Sequence, residues 1–169
     1  MKRIYTLLFA LLLSVLVLAG CGASEEKETN QSEQGAKTEQ TEKVAFPVTI
    51  KDATGEDVVI EAKPEKIVSL IPSNTEIAFA LGLGDEIVGV NDFDNYPEEA
   101  LEKEKIGGMD FNVEKIISLQ PDLVLAHGGT AMGSSAAGLQ QIRDAGITVL
   151  VVNDATNFDT VYDSIEMIG

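Results

Sequence analysis

Residues 67–90 read IVSLIPSNTEIAFALGLGDEIVGV, and this stretch decides the fold. A short β-branched run, Ile67-Val-Ser-Leu-Ile71, meets a proline and a polar turn. Helical periodicity follows, with Ile77, Phe79, Ala80 and Leu81 on an apolar face, and Gly82 offers an exit. Ser73-Asn-Thr-Glu76 has the spacing of a capping box at the start of that helix. A second β-branched run, Glu86-Ile-Val-Gly-Val90, completes a strand–helix–strand unit.

Downstream the unit repeats. Asp122-Leu-Val-Leu-Ala126 and Ile147-Thr-Val-Leu-Val-Val152 are further strand-like runs. Before, between and after them lie three helical segments. Asn112 to Leu119 stops before Pro121, Ser135 to Ala145 closes on Gly146, and a last one begins near Phe158. Its stripe Val161, Ile165, Ile168 has no terminator before Gly169, as if a longer helix were beginning there. Such alternation predicts an α/β fold, a parallel sheet with flanking helices in a Rossmann-like lobe. Upstream, Val48-Thr-Ile-Lys51 and Val58-Val-Ile-Glu61 flank Ala53-Thr54-Gly55-Glu56, which predicts a small β-hairpin ahead of the sheet.

The first residues are of another kind. Lys2 and Arg3 precede an apolar run from Ile4 to Leu18, then Ala19, Gly20 and the single cysteine, Cys21. Basic, apolar and small residues in that order are a secretory signal, too short for a typical membrane span. Residues 22–43 are rich in Glu, Gln, Ser, Thr and Lys, with no aromatic or large aliphatic side chain. They cannot bury enough surface to offset ordering and are expected to form a disordered tether. The expected organisation is a signal peptide over 1–20, a lipidated cysteine and tether over 21–43, and one folded lobe over 44–169.

Charge narrows the partners. From Val44 onward 22 acidic residues oppose 7 basic ones, a net of −15. Nucleic acid and bare anionic membranes are disfavoured by that field, while a basic protein surface is not. Catalysis is not indicated either. The folded part has no cysteine and one histidine, with no nucleophile elbow and no Gly-rich phosphate loop. One histidine is too few for a dedicated metal-ion receptor, so neither a bound metal nor a cofactor is expected.

In a parallel sheet the segments after the strands gather at the carboxyl edge, where open α/β folds bind ligands. Here they are Pro72-Ser73-Asn74, Asn91-Asp92-Phe93, His127-Gly128-Gly129 and Asn153-Asp154. The mixture of an aromatic, an imidazole and several amides suits recognition, and it also suits ordinary connecting loops.

Two resemblances sharpen this. Leu18-Ala-Gly-Cys21 resembles the lipobox of bacterial lipoproteins, which implies lipidation of Cys21 and an extracytoplasmic, membrane-anchored protein. Ile67-Val-Ser-Leu-Ile-Pro-Ser-Asn-Thr-Glu76, Ala80-Leu-Gly-Leu-Gly84, Tyr96-Pro97, Asn112-Val-Glu-Lys-Ile116 and Gln120-Pro-Asp-Leu-Val124 occur in that order. Together they resemble the amino-terminal lobe of the cobalamin and iron-siderophore class of periplasmic-type binding proteins of ABC importers. The resemblance implies two α/β lobes joined by a long helix, a ligand held between them, and a permease as partner. The chain then supplies one lobe and the start of the interlobe helix, and a monomer is expected.

On this reading the cleft residues are Ser73, Asn74, Phe93, Met109, His127 and Gly128. Phe93, just ahead of Tyr96-Pro97, matches an aromatic that can lie flat on a corrin or chelate. Gly108 and His127 stand where some cobalamin binders carry tryptophans, which shifts weight toward a siderophore or haem. Glu114 matches the glutamate offered to permease arginines, although a carboxylate in a first helical turn is also favoured by the helix dipole. Glu76 is assigned to capping. The implied function is capture of a metal chelate (cobalamin, ferric siderophore or haem) for the permease. The alternatives are a membrane-anchored surface scaffold without a small ligand, or an extracytoplasmic hydrolase.

Overall fold

A computed structural model describes residues 45–169. The expected signal peptide, Cys21 and the tether lie outside the described residues. Strands β1 (Val48–Lys51) and β2 (Asp57–Ile60) form the antiparallel hairpin, with Val48 opposite Ile60 and Lys51 opposite Asp57. Its turn closes on Asp52, whose Oδ1 accepts the Thr54 and Glu56 N–H groups and the Thr54 hydroxyl.

Five further strands form one sheet: β3 (Ile67–Ser69), β4 (Ile87–Val90), β5 (Glu104–Lys105), β6 (Leu123–His127) and β7 (Thr148–Val152). They lie side by side as β5-β4-β3-β6-β7, and every pairing is parallel. The chain thus builds outward from β3 to one edge, returns past it, and builds to the other. The connections carry α1 (Pro72–Ala80), α2 (Val113–Leu119) and α3 (Gly133–Asp144), and α4 (Phe158–Ile168) follows β7.

Both faces of the sheet are covered, so its strands are apolar on both sides instead of alternating apolar with polar. Along β6 and β7, Val124, Ala126, Val149 and Val151 enter one core with Ile116 of α2 and Leu139 and Ile142 of α3. Their neighbours Leu123, Leu125, Leu150 and Val152 enter a second core with Ala78 of α1 and Ile60 of the hairpin. The period of two along each strand is what divides the side chains between the two cores.

Several local readings are corrected. The capping box at Ser73 and Glu76 does not form. Proline is favoured at the first helical position because its missing N–H is not needed there. Pro72 therefore starts α1 two residues earlier, with extended Ile71 as the cap and no side-chain capping bond. Glu76 is an exposed residue of the helix body with no capping role. α2 does have a side-chain cap, with Asn112 accepting the Lys115 N–H at 2.9 Å. In α4 Ile168 of the expected stripe packs against the second core, Ile165 is half-buried and Val161 is 37% exposed, while the fully buried position is Ser164. β5, two charged residues long, has no apolar pattern by which sequence could signal it.

Candidate functional site

The strand order reverses between β3 and β6. The loop leaving β3 leads to α1 on one face of the sheet and the loop leaving β6 leads to α3 on the other, the arrangement at whose carboxyl edge open α/β folds bind ligands. Buried amides tie this edge together. Asn74, 2% exposed, donates from Nδ2 to the Ala126 carbonyl at 2.9 Å, bridging the β3 and β6 ends across the reversal. Asn91, 4% exposed, donates to the Leu70 carbonyl at 2.9 Å and the Gly108 carbonyl at 3.2 Å. Its Oδ1 accepts the Phe93 N–H at 3.0 Å. A single side chain therefore joins the loops after β3, β4 and β5, because a buried amide is stable only when its donors and acceptor are matched.

The expected cleft residues divide into two groups. Ser73, Phe93 and Met109 stand exposed on the carboxyl edge. Asn74 belongs to the scaffold beneath it: its amide is turned inward and committed to Ala126, so its place in the cleft set is corrected to a positioning one. Phe93 is 65% exposed and so does not cap the core. Its ring lies over Gly108, where an added Cβ would come within 3.0 Å of the ring's Cε2. The ring thus fills the space that a larger side chain at 108 would need. Met132, 66% exposed, caps α3, and the Ser135 hydroxyl of that helix lies 3.5 Å from the Met109 carbonyl. Sequence reading missed Met132 because nothing in the local pattern marks it.

His127 is engaged at both ring nitrogens. Nδ1 accepts the Gly129 N–H at 3.1 Å, which places the ring proton on Nε2, 2.8 Å from Asp154 Oδ1. An imidazole so held pins the β6 loop to the β7 loop and has no lone pair free for a metal. Gly128 makes the pairing possible, since a Cβ there would sit 2.7 Å from the same carboxylate oxygen. Among the described residues no group of three His, Cys, Asp or Glu side chains is placed to hold a metal ion.

Beneath the Phe93 loop lies Asp94, 2% exposed, whose two carboxylate oxygens have no hydrogen-bond partner. Burial pushes its carboxyl above the ordinary aspartate value. Thr75 is close by, but its hydroxyl proton is directed at Ser69 Oγ, 2.8 Å away. The ammonium of Lys105 caps the Asp94 and Asn91 carbonyls at 3.1 and 3.4 Å.

Glu114 is exposed in the first turn of α2 and makes no ion pair among the described residues. Its neighbour Lys115 reaches away to Glu104 at 2.8 Å. A concavity of about 570 Å³ lies beside α1, lined by Phe79, Gly84, Pro97 and Lys103 among others. Its rim is acidic and open, and it shares no residue with the expected cleft. No described helix is long and apolar enough to cross a membrane.

Residues 67–169 match the family described as periplasmic binding protein. Over 169 residues the chain is 54% identical to an uncharacterized ABC transporter substrate-binding lipoprotein of Bacillus subtilis, covering all of this chain and 51% of the relative. A vitamin B12-binding protein of Vibrio cholerae is 40% identical over 112 residues, 64% of this chain and 39% of that protein. Among solved structures, a possible iron-binding, periplasmic solute-binding protein of Staphylococcus epidermidis superposes with a TM-score of 0.60 at 41% identity. That match covers 64% of this chain and 42% of that one. The chain spans about half the length of the curated relatives it matches.

Proposed function

Because the chain belongs to the periplasmic binding protein family, we propose that it is the substrate-binding lobe of an ABC importer that captures a metal chelate and presents it to the permease. The observation that carries this is the carboxyl edge itself. An exposed ring on the loop after β4 and two exposed thioether side chains, on the loops after β5 and β6, stand on the carboxyl edge, which is tied together from below by the buried amides of Asn74 and Asn91. Side chains of that kind left in water gain most by covering a flat apolar ligand, at about 25 cal/mol for each Å² buried. The rigid support means little ordering cost on binding.

Phe93 and Met109 serve as the contact surface, with Ser73 and the Gly128 backbone at its margin. The His127–Asp154 pair holds the adjoining loops in place. Glu114 is free to meet a basic permease surface, and Cys21 carries the lipid that holds the receptor at the outer face of the membrane. The reaction is capture and release, with no covalent step.

The protein expressed from its complete reading frame is titrated calorimetrically with cyanocobalamin, haem and a ferric hydroxamate. One of the three is expected to bind, to raise the unfolding midpoint through linkage, and to lose cellular uptake when the gene is deleted. Unmoved midpoints with all three, beside unchanged uptake, would refute the reading.

A further inference from the structure

We propose that the carboxyl edge of this lobe selects by charge, favouring neutral or cationic chelates over anionic ones. This rests on the reading of the edge as a chelate site and narrows it. The loops that form the edge are residues 70–74, 91–97, 106–112, 127–132 and 153–157, and none contains a lysine or arginine. Lys105, at the end of β5, is the cation nearest to them in the chain, and its ammonium is turned under the Phe93 loop onto two carbonyls. Lys115, in the first turn of α2, is drawn off to Glu104.

Carboxylates are plentiful on the same edge. Asp92, Asp110 and Asp154 are exposed within the loops. Glu114 and Asp159 occupy the first turns of α2 and α4. One opposing effect has to be weighed. Four helices begin at this edge, and each N-terminus carries roughly half a positive charge, which sums to about +2. Five full negative charges exceed that, and the two in first turns lie where the dipoles would otherwise attract an anion. The imidazole of His127 is already occupied by Asp154. What the edge offers a ligand is therefore a ring, two thioethers and a negative rim.

A metal chelate whose ligand groups leave it uncharged meets the apolar surface without penalty, and a cationic one is drawn in. A chelate with spare carboxylates or catecholates has to bring its charge against Asp92 and Asp110 with no ammonium or guanidinium of these loops in reach. Like charges juxtaposed in this way weaken binding and slow encounter, and both effects shrink as salt screens them.

The test uses matched pairs, so that shape is held constant. The protein from its complete reading frame is titrated with cyanocobalamin and with its monocarboxylic acid, in which one side-chain amide is hydrolysed. It is titrated likewise with cationic ferrioxamine B and its anionic N-succinyl derivative. Within whichever pair binds, the anionic member is expected to bind about tenfold more weakly at low ionic strength, and the gap should close as salt is raised. Asp110→Lys, at an exposed side chain, should narrow the gap by strengthening binding of the anionic member and weakening that of a cationic one. Equal or tighter binding of the anionic member by wild-type protein at low ionic strength would overturn charge selection while leaving the chelate reading intact. Binding of no chelate at all would overturn both. Should Asp110→Lys fail to fold, the salt series on wild-type protein decides alone.

Discussion

Replacing Asn91 tests whether the edge is held together from below. Asn91→Ala removes three hydrogen bonds at once, to the Leu70 and Gly108 carbonyls and from the Phe93 N–H. The Leu70 bond is buried, and stranding that carbonyl costs about 1–3 kcal/mol. The other two are partly buried, and water can replace them in part, so each contributes about 0.5–1.5 kcal/mol. The expected loss is about 3 kcal/mol, a fall of roughly 10 °C in midpoint for a domain of this size. Asn91→Asp makes the reasoning sharper. It keeps an acceptor for Phe93 N–H but sets a carboxylate oxygen against two carbonyls where the amide had donated, so it should be less stable than the alanine variant. Denaturant unfolding followed by far-UV circular dichroism measures both, and hydrogen exchange reports on Phe93. Its amide should exchange faster in Asn91→Ala and be better protected in Asn91→Asp. A loss under about 1 kcal/mol for alanine, or an aspartate variant as stable as wild type, would refute the bridging role.

Four further outcomes are expected. Phe93→Ala should weaken chelate binding by about 1–3 kcal/mol, read by calorimetry, while its exposure leaves the unfolding midpoint in place. Glu114→Arg should shift stability by less than about 1 kcal/mol and keep ligand affinity, yet lower transporter-dependent uptake; undiminished uptake would remove the docking role. Because burial raises the Asp94 carboxyl, its contribution to stability is full below the unfolded value near 3.9 and is lost as pH rises through the folded one. Asp94→Asn should therefore be the more stable protein at neutral pH, with the difference closing on acidification below about pH 4, as followed by thermal melts across pH. Cys21→Ser should move the protein from the membrane fraction to the soluble fraction, and a variant retained through a carbonate wash would assign the anchor to the apolar segment instead.

The fold was readable because hydrophobic period carries it. β-branched runs spaced by helical stripes specify a parallel sheet whatever the details of the loops, and the edge where those runs end follows from geometry. What could not be read depends on which way a polar side chain turns. Asn74 and Phe93 sit in similar turn sequences, yet one faces Ala126 beneath the edge and the other faces solvent above it. His127 reads in sequence as a lone ring; its partner Asp154 is distant in the chain and comes beside it only once β6 and β7 pair. The capping box at Ser73 misled because a local motif competed with Pro72, and proline's fixed geometry set the helix start. Asp94 gave no signal at all, since burial of a carboxylate is a property of the assembled loops.

The hairpin has a consequence beyond its share of the core. An open parallel sheet ends in two strands with unpaired backbone groups, and such edges recruit strands from other molecules when proteins are crowded together. On one side the last strand, β5, is only two residues long and both are charged. On the other, β7 is five residues of mostly buried aliphatics, and there Ala53 of the hairpin turn donates its N–H to the Val151 carbonyl at 2.8 Å. That bond occupies part of the edge a foreign strand would use, and the hairpin's bulk stands across the approach. Wherever copies of the protein are crowded together, these two blunted borders disfavour growth of neighbouring molecules into a shared sheet.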